Sequence, residues 1–163
     1  MKKIHQNFLY KELDSSDELP AEYAELLVQA KIAIATAYAP YSNFRVGAAA
    51  LLENGTIVTG SNQENASFPA GICAERVTLS AASVMHPNVP IHAIAVSTKA
   101  NHPVLPEPVA PCGICRQTLL EYEQRFHHNI EIILQGEAGK ILWISSAKEL
   151  LPLYFSSDNM DQR

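Results

Sequence analysis

No stretch of this 163-residue chain approaches the ~20 consecutive apolar residues that span a bilayer. No membrane association is expected. The start, Met1-Lys2-Lys3-Ile4-His5, lacks a long apolar segment behind its charges, so a secretory leader is not expected and the reading is cytoplasmic. Positive charge is also scarce: 12 Lys and Arg against 17 Asp and Glu give a formal net charge of −5 and a pI near 5.6. A protein that grips a phosphate backbone usually carries a basic face, so no nucleic-acid partner is expected and a small neutral substrate fits better. Cysteine is limited to three residues, an odd number with one CxxC spacing. That is no disulfide framework; in a reducing compartment it points to metal binding or catalysis. Internal repeats and low-complexity segments are absent.

The length, with 47% hydrophobic and 18% charged residues, suits one domain with an ordinary core. Residues 1–163 are expected to form it, with 1–16 as an N-terminal arm of unknown role and 156–163 as a polar tail. Tyr23, Leu26, Leu27, Ala30, Ile34, Ala37 and Tyr38 recur at helical spacing between Asp17 and Pro20 as start signals and Pro40 as the stop. Arg45 to Leu52 and Thr56 to Gly60 flank Glu53-Asn54-Gly55, and Asn-Gly tolerates the positive φ angles of a tight hairpin. A long irregular loop, Ser61 to Ile72, follows; inside a compact domain such a loop is more often functional than idle.

Helices are expected from Cys73 to about Met85 and from Cys112 or Gly113 to about Phe126. Strands are expected at Ile91 to Thr98, Ile130 to Leu134 and Ile141 to Ile144. Four prolines make Lys99 to Pro111 a loop. Ser146-Ala147-Lys148-Glu149 reads as a capping box for a short last helix ended by Pro152. Alternating strands and helices imply an α/β fold, a three-layer α-β-α sandwich around a five-stranded mixed sheet.

All three cysteines fall in two short stretches, Cys73-Ala74-Glu75-Arg76 and Pro111-Cys112-Gly113-Ile114-Cys115-Arg116. Three thiolates with a nearby carboxylate are the parts of a zinc site with an open fourth position. Both stretches enter helices, whose N-termini carry roughly half a positive charge and free N–H groups that favour thiolate over thiol. Three thiolates outweigh the two charges of zinc, so Arg76 is the candidate to donate to ligand sulfurs, with Arg116 a weaker one that a helix-surface salt bridge suits at least as well. Glu75, in the first helical turn, is positioned to carry protons between water and a substrate. These residues read as a zinc hydrolase for a small amino-bearing substrate. The rival is a closed structural zinc whose fourth ligand is His102. His5, His86, His92, His127 and His128 lack ligand spacing and default to surface or core placement.

Cys-x-Glu followed by Pro-Cys-x-x-Cys resembles the signature of the zinc nucleobase deaminases. More closely, Pro40-Tyr41-Ser42-Asn43-Phe44-Arg45-Val46-Gly47-Ala48-Ala49, Asn62-Gln63-Glu64-Asn65-Ala66, the two cysteine stretches extended to Gln117, and Leu150-Leu151-Pro152-Leu153-Tyr154-Phe155 look like the small homotetrameric cytidine deaminases. The likeness covers about Pro20 to Phe155. It implies a cytidine deaminase-like fold and zinc-dependent hydrolysis of cytidine or deoxycytidine to uridine or deoxyuridine, with one zinc per subunit on Cys73, Cys112 and Cys115. It also implies that Glu75 shuttles protons, backbone at Ala74 contacts the base, Phe44 packs on it, and Asn62 and Glu64 hold the ribose 3′-hydroxyl. Phe155 would stack on the pyrimidine in a neighbouring subunit.

Three departures bear on fine substrate preference and the subunit interface rather than on the reaction. Phe68 stands where the family commonly has Tyr, Arg45 replaces a common Pro, and the Lys99 to Pro111 loop is somewhat longer than usual. Rival readings are a deaminase for a related aminopyrimidine nucleoside analogue and a non-catalytic structural-zinc protein.

Overall fold

The computed structural model describes residues 1–100 and 107–160, and its centre is a six-stranded sheet. In chain order the elements are β1 (Lys11–Leu13), α1 (Ala21–Ala33), β2 (Phe44–Leu52), β3 (Ile57–Ser61), α2 (Ala74–Met85), β4 (Ile91–Ala100), α3 (Gly113–Phe126), β5 (Glu131–Gln135) and β6 (Ile141–Ile144). The spatial order is β1-β6-β5-β4-β2-β3. Among the strands of the described residues, β4 and β5 alone pair in parallel, joined by a crossover through α3; the other strand pairs are antiparallel.

Alternation along the strands builds the layers. In β4, Ala93 and Ala95 face α1 with Ala49, Leu51 and Ile133, whereas Ile94 and Val96 face the opposite side with Ala48, Ala50, Ile132 and Leu134. On the first side Tyr23, Leu26, Leu27 and Ala30 of α1 complete a core. Opposite it, Leu79 and Ala82 of α2 pack with Leu119 and Leu120 of α3. The expected three-layer sandwich is therefore present.

The sheet has six strands, not five. The additional one comes from the N-terminal arm, where Lys11 pairs with Trp143 and Leu13 with Ile141. Three residues carry no readable period; the edge of β6 and the Lys11 ammonium over the Trp143 ring, 3.7 Å from its centroid, draw them in. The tail is likewise structured in part: Ser157–Asn159 is a 3-10 turn capped reciprocally by Ser156 and Asn159. Strand β4 continues to Ala100, two residues past its expected end. In the β2–β3 hairpin only Gly55 takes a positive φ (81°), while Asn54 stays outside the left-handed region.

The segment after Ser146 is a 3-10 turn rather than an α-helix, and its cap is one-sided. Ser146 Oγ accepts from Lys148 N–H at 3.1 Å, but Glu149 reaches away to accept from Leu9 N–H at 3.1 Å. Ser146 is instead tied to Glu123, a buried carboxylate on α3. Glu123 accepts from Ile130 N–H at 2.9 Å, Ala147 N–H at 2.8 Å and Ser146 Oγ–H at 2.8 Å. It joins three segments by charge-assisted bonds in a dry setting. Glu123→Ala should strand two buried N–H donors and cost about 3 kcal/mol, read as a lowered denaturation midpoint with unchanged slope. A loss below about 1 kcal/mol would mean that water replaces the carboxylate.

Candidate metal centre and pocket

Cys73 and Cys112 are the N-cap residues of α2 and α3, both with extended backbone and with no side-chain cap bond. Their sulfurs therefore stand free beside the first-turn N–H groups of two helices. Cys112 Sγ lies 3.8 Å from Cys73 Sγ and 3.4 Å from Cys115 Sγ. A tetrahedral ion with Zn–S of ~2.3 Å sets its sulfurs about 3.8 Å apart, so these three side chains fit such an ion. Cys115 is fully buried and Cys112 exposed, so the cluster opens on one side.

The thiols share their protons unequally. Hydrogen bonding from Cys115 lowers Cys73 to about 6, against the opposing effects of burial and of Glu75; Arg76 adds a further lowering. The same bond and burial push Cys115 well above the ordinary thiol value. Arg76 is half-buried, and among the described residues it makes no hydrogen bond to a sulfur, so it acts on Cys73 as a nearby charge. Among the described residues Arg116 forms no salt bridge. It donates to Pro111 O at 2.7 Å and Leu150 O at 3.0 Å, bracing the loop that delivers Cys112.

Glu75 is 5% exposed, and its burial raises the carboxyl above the ordinary range. A carboxyl shifted in that direction accepts a proton more readily, as a group that carries protons must. Glu75, Cys73 and Cys112 share a cavity of about 510 Å³ with Phe44, Asn62 and Glu64. A larger cavity of about 650 Å³, between the N-terminal arm and the Leu150 region, holds none of these groups. Ala74, fully buried, opens α2, where its N–H has no partner within the helix. Phe155 lies outside the 510 Å³ cavity, 59% exposed, its carbonyl accepting from Gln117 Nε2 at 2.9 Å. His102 lies outside the described residues.

The Ser61 to Ile72 loop is pinned rather than loose. Gln63 and Ile72 exchange backbone bonds at 2.9 and 3.0 Å, and Tyr38 bonds with Asn62 and Glu64 at 3.0 and 2.8 Å. Asn62 clamps β2, accepting from Val46 N–H at 2.8 Å and donating to Phe44 O at 2.9 Å. Glu64 accepts from Tyr41 N–H at 2.9 Å, Ser42 N–H at 3.3 Å and the Ser42 hydroxyl.

Sequence reasoning gave no role to Ser42, nor to Thr98, whose buried hydroxyl sits in the pocket wall with no partner among the described residues. Ser42 was visible inside a recognised motif. Thr98 had no signal, being one residue of an apolar strand.

An α-β-α sandwich that joins two helix N-termini through three thiols beside a buried acid defines a class of metal-centred α/β proteins. The family model described as the cytidine and deoxycytidylate deaminase zinc-binding region matches residues 21–127. The chain is 38% identical over 126 residues to a cytidine deaminase of Halalkalibacterium halodurans, covering 77% of this chain and 87% of that one. It is 36% identical over 137 residues to that of Sporosarcina psychrophila, covering 83% and 93%. The crystal structure of cytidine deaminase from Burkholderia pseudomallei superposes with a TM-score of 0.70 at 39% identity, over 80% of this chain and 97% of that one. This chain belongs to the cytidine and deoxycytidylate deaminase family, and its three-cysteine group lies within the matched zinc-binding region.

The Ser42 hydroxyl is the largest influence holding Glu64 below the ordinary carboxylate value, followed by the Tyr41 N–H. A depressed carboxylate stabilises the fold above its unfolded pKa, and that contribution is lost as pH falls through the folded one. Ser42→Ala should therefore move the Glu64 midpoint upward in a carboxyl NMR titration, with the loop's acid sensitivity shifting to higher pH. An unmoved midpoint would remove Ser42 as the determinant.

Proposed function

We propose that this chain, acting as one domain, hydrolyses the exocyclic amine of free cytidine and deoxycytidine, yielding uridine or deoxyuridine and ammonia. The observation that carries the reading is Glu75, a buried acid in the same cavity as three sulfurs spaced for zinc. Cys73, Cys112 and Cys115 would hold one zinc per subunit, and its Lewis acidity activates water for attack at an electron-poor carbon. Glu75 takes a proton from the attacking water and gives it to the ring nitrogen N3. It then takes the proton of the new C4 hydroxyl and gives it to the amine as the C4–N bond breaks and the C4 carbonyl forms, so that ammonia leaves neutral.

The sugar end follows from counting hydrogen-bond capacity. A carboxylate offers about four acceptor positions, and three bonds from Tyr41 and Ser42 leave Glu64 one. The Asn62 amide has two N–H donors and spends one on Phe44 O. One free donor beside one free acceptor matches a single hydroxyl, which supports the 3′-hydroxyl assignment. A phosphate there would meet the Glu64 charge, so a nucleotide within a chain is refused. Phe44 supplies a face for the pyrimidine, and backbone at Ala74 a polar contact to the base.

Phe155 completes the site in trans within a homotetramer. Its exposure, with Leu153 at 90% and Phe68 at 76%, gives large apolar side chains that association would cover. Phe155→Ala should raise KM about tenfold with kcat held more nearly constant; full activity in a monomeric species would remove this role.

Glu75→Ala should retain zinc and lose about 10³-fold or more in kcat on cytidine, measured by ammonia release beside metal analysis. Wild-type-like turnover in that variant would falsify the proton-carrying role. In the same assay, faster turnover of another aminopyrimidine nucleoside than of cytidine would redirect the substrate assignment.

A further inference from the structure

At the opposite end of the strands from the thiols, three side chains from separate segments converge. Glu53 directly follows β2, His92 is the second residue of β4, and His128 lies between α3 and β5. Glu53 Oε1 is 3.0 Å from His92 Nδ1 and 3.0 Å from His128 Nε2. All three ligand atoms lie within 4.8 Å of one another, and the two imidazole rings stand 5.9 Å apart.

Each member is held by its own backbone. Glu53 N–H donates to Pro90 O at 3.0 Å, next to a register shift at Leu51 and Leu52. Helix α3 ends at His127, whose φ of 50° is left-handed, and His128 N–H closes onto Glu123 O at 3.1 Å. A non-glycine residue in that conformation reverses the chain at the helix end, and here the next side chain meets Glu53. From α1, the Tyr23 hydroxyl reaches His92 Nε2 at 2.9 Å.

We propose that Glu53, His92 and His128 form a second metal site, for a divalent transition ion of the zinc, nickel or copper type. Two imidazole nitrogens and one carboxylate oxygen suit those ions and are a poor set for calcium or magnesium, which take all-oxygen ligands. In six-coordinate geometry, metal–ligand distances of ~2.0–2.2 Å put adjacent ligand atoms about 3 Å apart, the spacing already present on both sides of Glu53 Oε1.

His92 also has the outer hydrogen bond that metal-bound histidines use. With Nδ1 on the ion, its Nε2–H donates to the Tyr23 oxygen and the ring orientation is fixed. A plain surface ion pair would account for one histidine on Glu53. It does not account for two rings from different segments meeting one oxygen, or for the phenol behind the first ring. Water would fill the remaining positions, since the three side chains are 33–42% exposed.

The bound ion would tie the hairpin turn, the start of β4 and the exit of α3 together. It would stabilise the folded chain in proportion to its occupancy. Its place in the fold separates it from the chemistry. Cys112 and His128 flank opposite ends of α3, whose 14 residues span about 21 Å.

The test is calorimetric titration of the zinc-loaded full chain, after loose metal is removed, with Zn²⁺ as the probe. One further equivalent per chain is expected, accompanied by a higher Tm. His128→Asn and Glu53→Gln, two variants that leave the Tyr23–His92 contact in place, should each weaken that equivalent at least tenfold while sulfur-bound zinc stays. With Co²⁺ as a second probe, the added ion should absorb without a sulfur-to-metal charge-transfer band. A wild-type chain that takes up no further equivalent overturns the proposal. So does uptake that both variants keep with unaltered affinity, or added cobalt that shows the sulfur band.

Discussion

Everything at the candidate active site depends on two helix N-termini meeting over the carboxyl end of β4. Three sulfurs within 4 Å of Cys112 or at it cannot all ionise without a counter-charge. Hydrogen bonding from Cys115, with a smaller contribution from Arg76, lowers Cys73, while Cys115 is pushed up. The remaining frustration is what a dication relieves, releasing the retained protons as it binds. The parallel β4–β5 pair makes the meeting possible. A parallel pair requires a crossover, α3 is that crossover, and its N-terminus must lie at the end of β4. Such crevices beyond strand carboxyl ends are where open α/β sheets place their ligands.

The opposite wall of the cavity is made of loop, yet it is as constrained as the helices. Glu64 spends most of its side-chain hydrogen-bonding capacity, and Asn62 half of its own, on the Tyr41 to Val46 segment. That segment carries Phe44, so the residues proposed to hold the sugar also hold the residue proposed to face the base. Sugar recognition and base placement are thus mechanically linked. A change in either loop side chain moves the aromatic surface as well as removing a contact.

Much of this was legible because it is local. Helical spacing from Tyr23 to Ala30, strand alternation in β4 and turn chemistry at Gly55 are written within a few residues of one another. The three-thiol cluster was legible for another reason: thiols are rare, and their spacing beside helix starts has few uses. What stayed hidden depends on partners distant in sequence. Strand β1 exists through pairing with β6, over a hundred residues away. Glu149 had the right spacing for a reciprocal cap but bonds Leu9 instead. Arg116 satisfies two carbonyls where a surface pairing was expected. His92 and His128, placed at surface or core by spacing alone, meet because α3 runs back antiparallel to β4 and delivers its C-terminal end to the start of that strand. No linear pattern reports that.

The least conspicuous constraint on the chemistry is a glycine. A Cβ on Gly60 of β3 would sit 2.6 Å from Thr78 Oγ1 and 2.9 Å from Thr78 N. Helix α2 therefore lies directly on the backbone of β3, within one turn of Glu75. Thr78 Oγ1 donates to Ala74 O at 2.9 Å, which locks the first turn of the helix at that height. On the other face, a Cβ on Gly47 would come within 2.1 Å of Ala30 O, so α1 is seated on β2 just as closely. The sheet is clamped between helices that have no room to approach or to be displaced without strain. Proton transfer depends on heavy-atom positions set to a few tenths of an ångström. The reach of Glu75 toward the sulfurs is thus fixed by the absence of two side chains that touch neither.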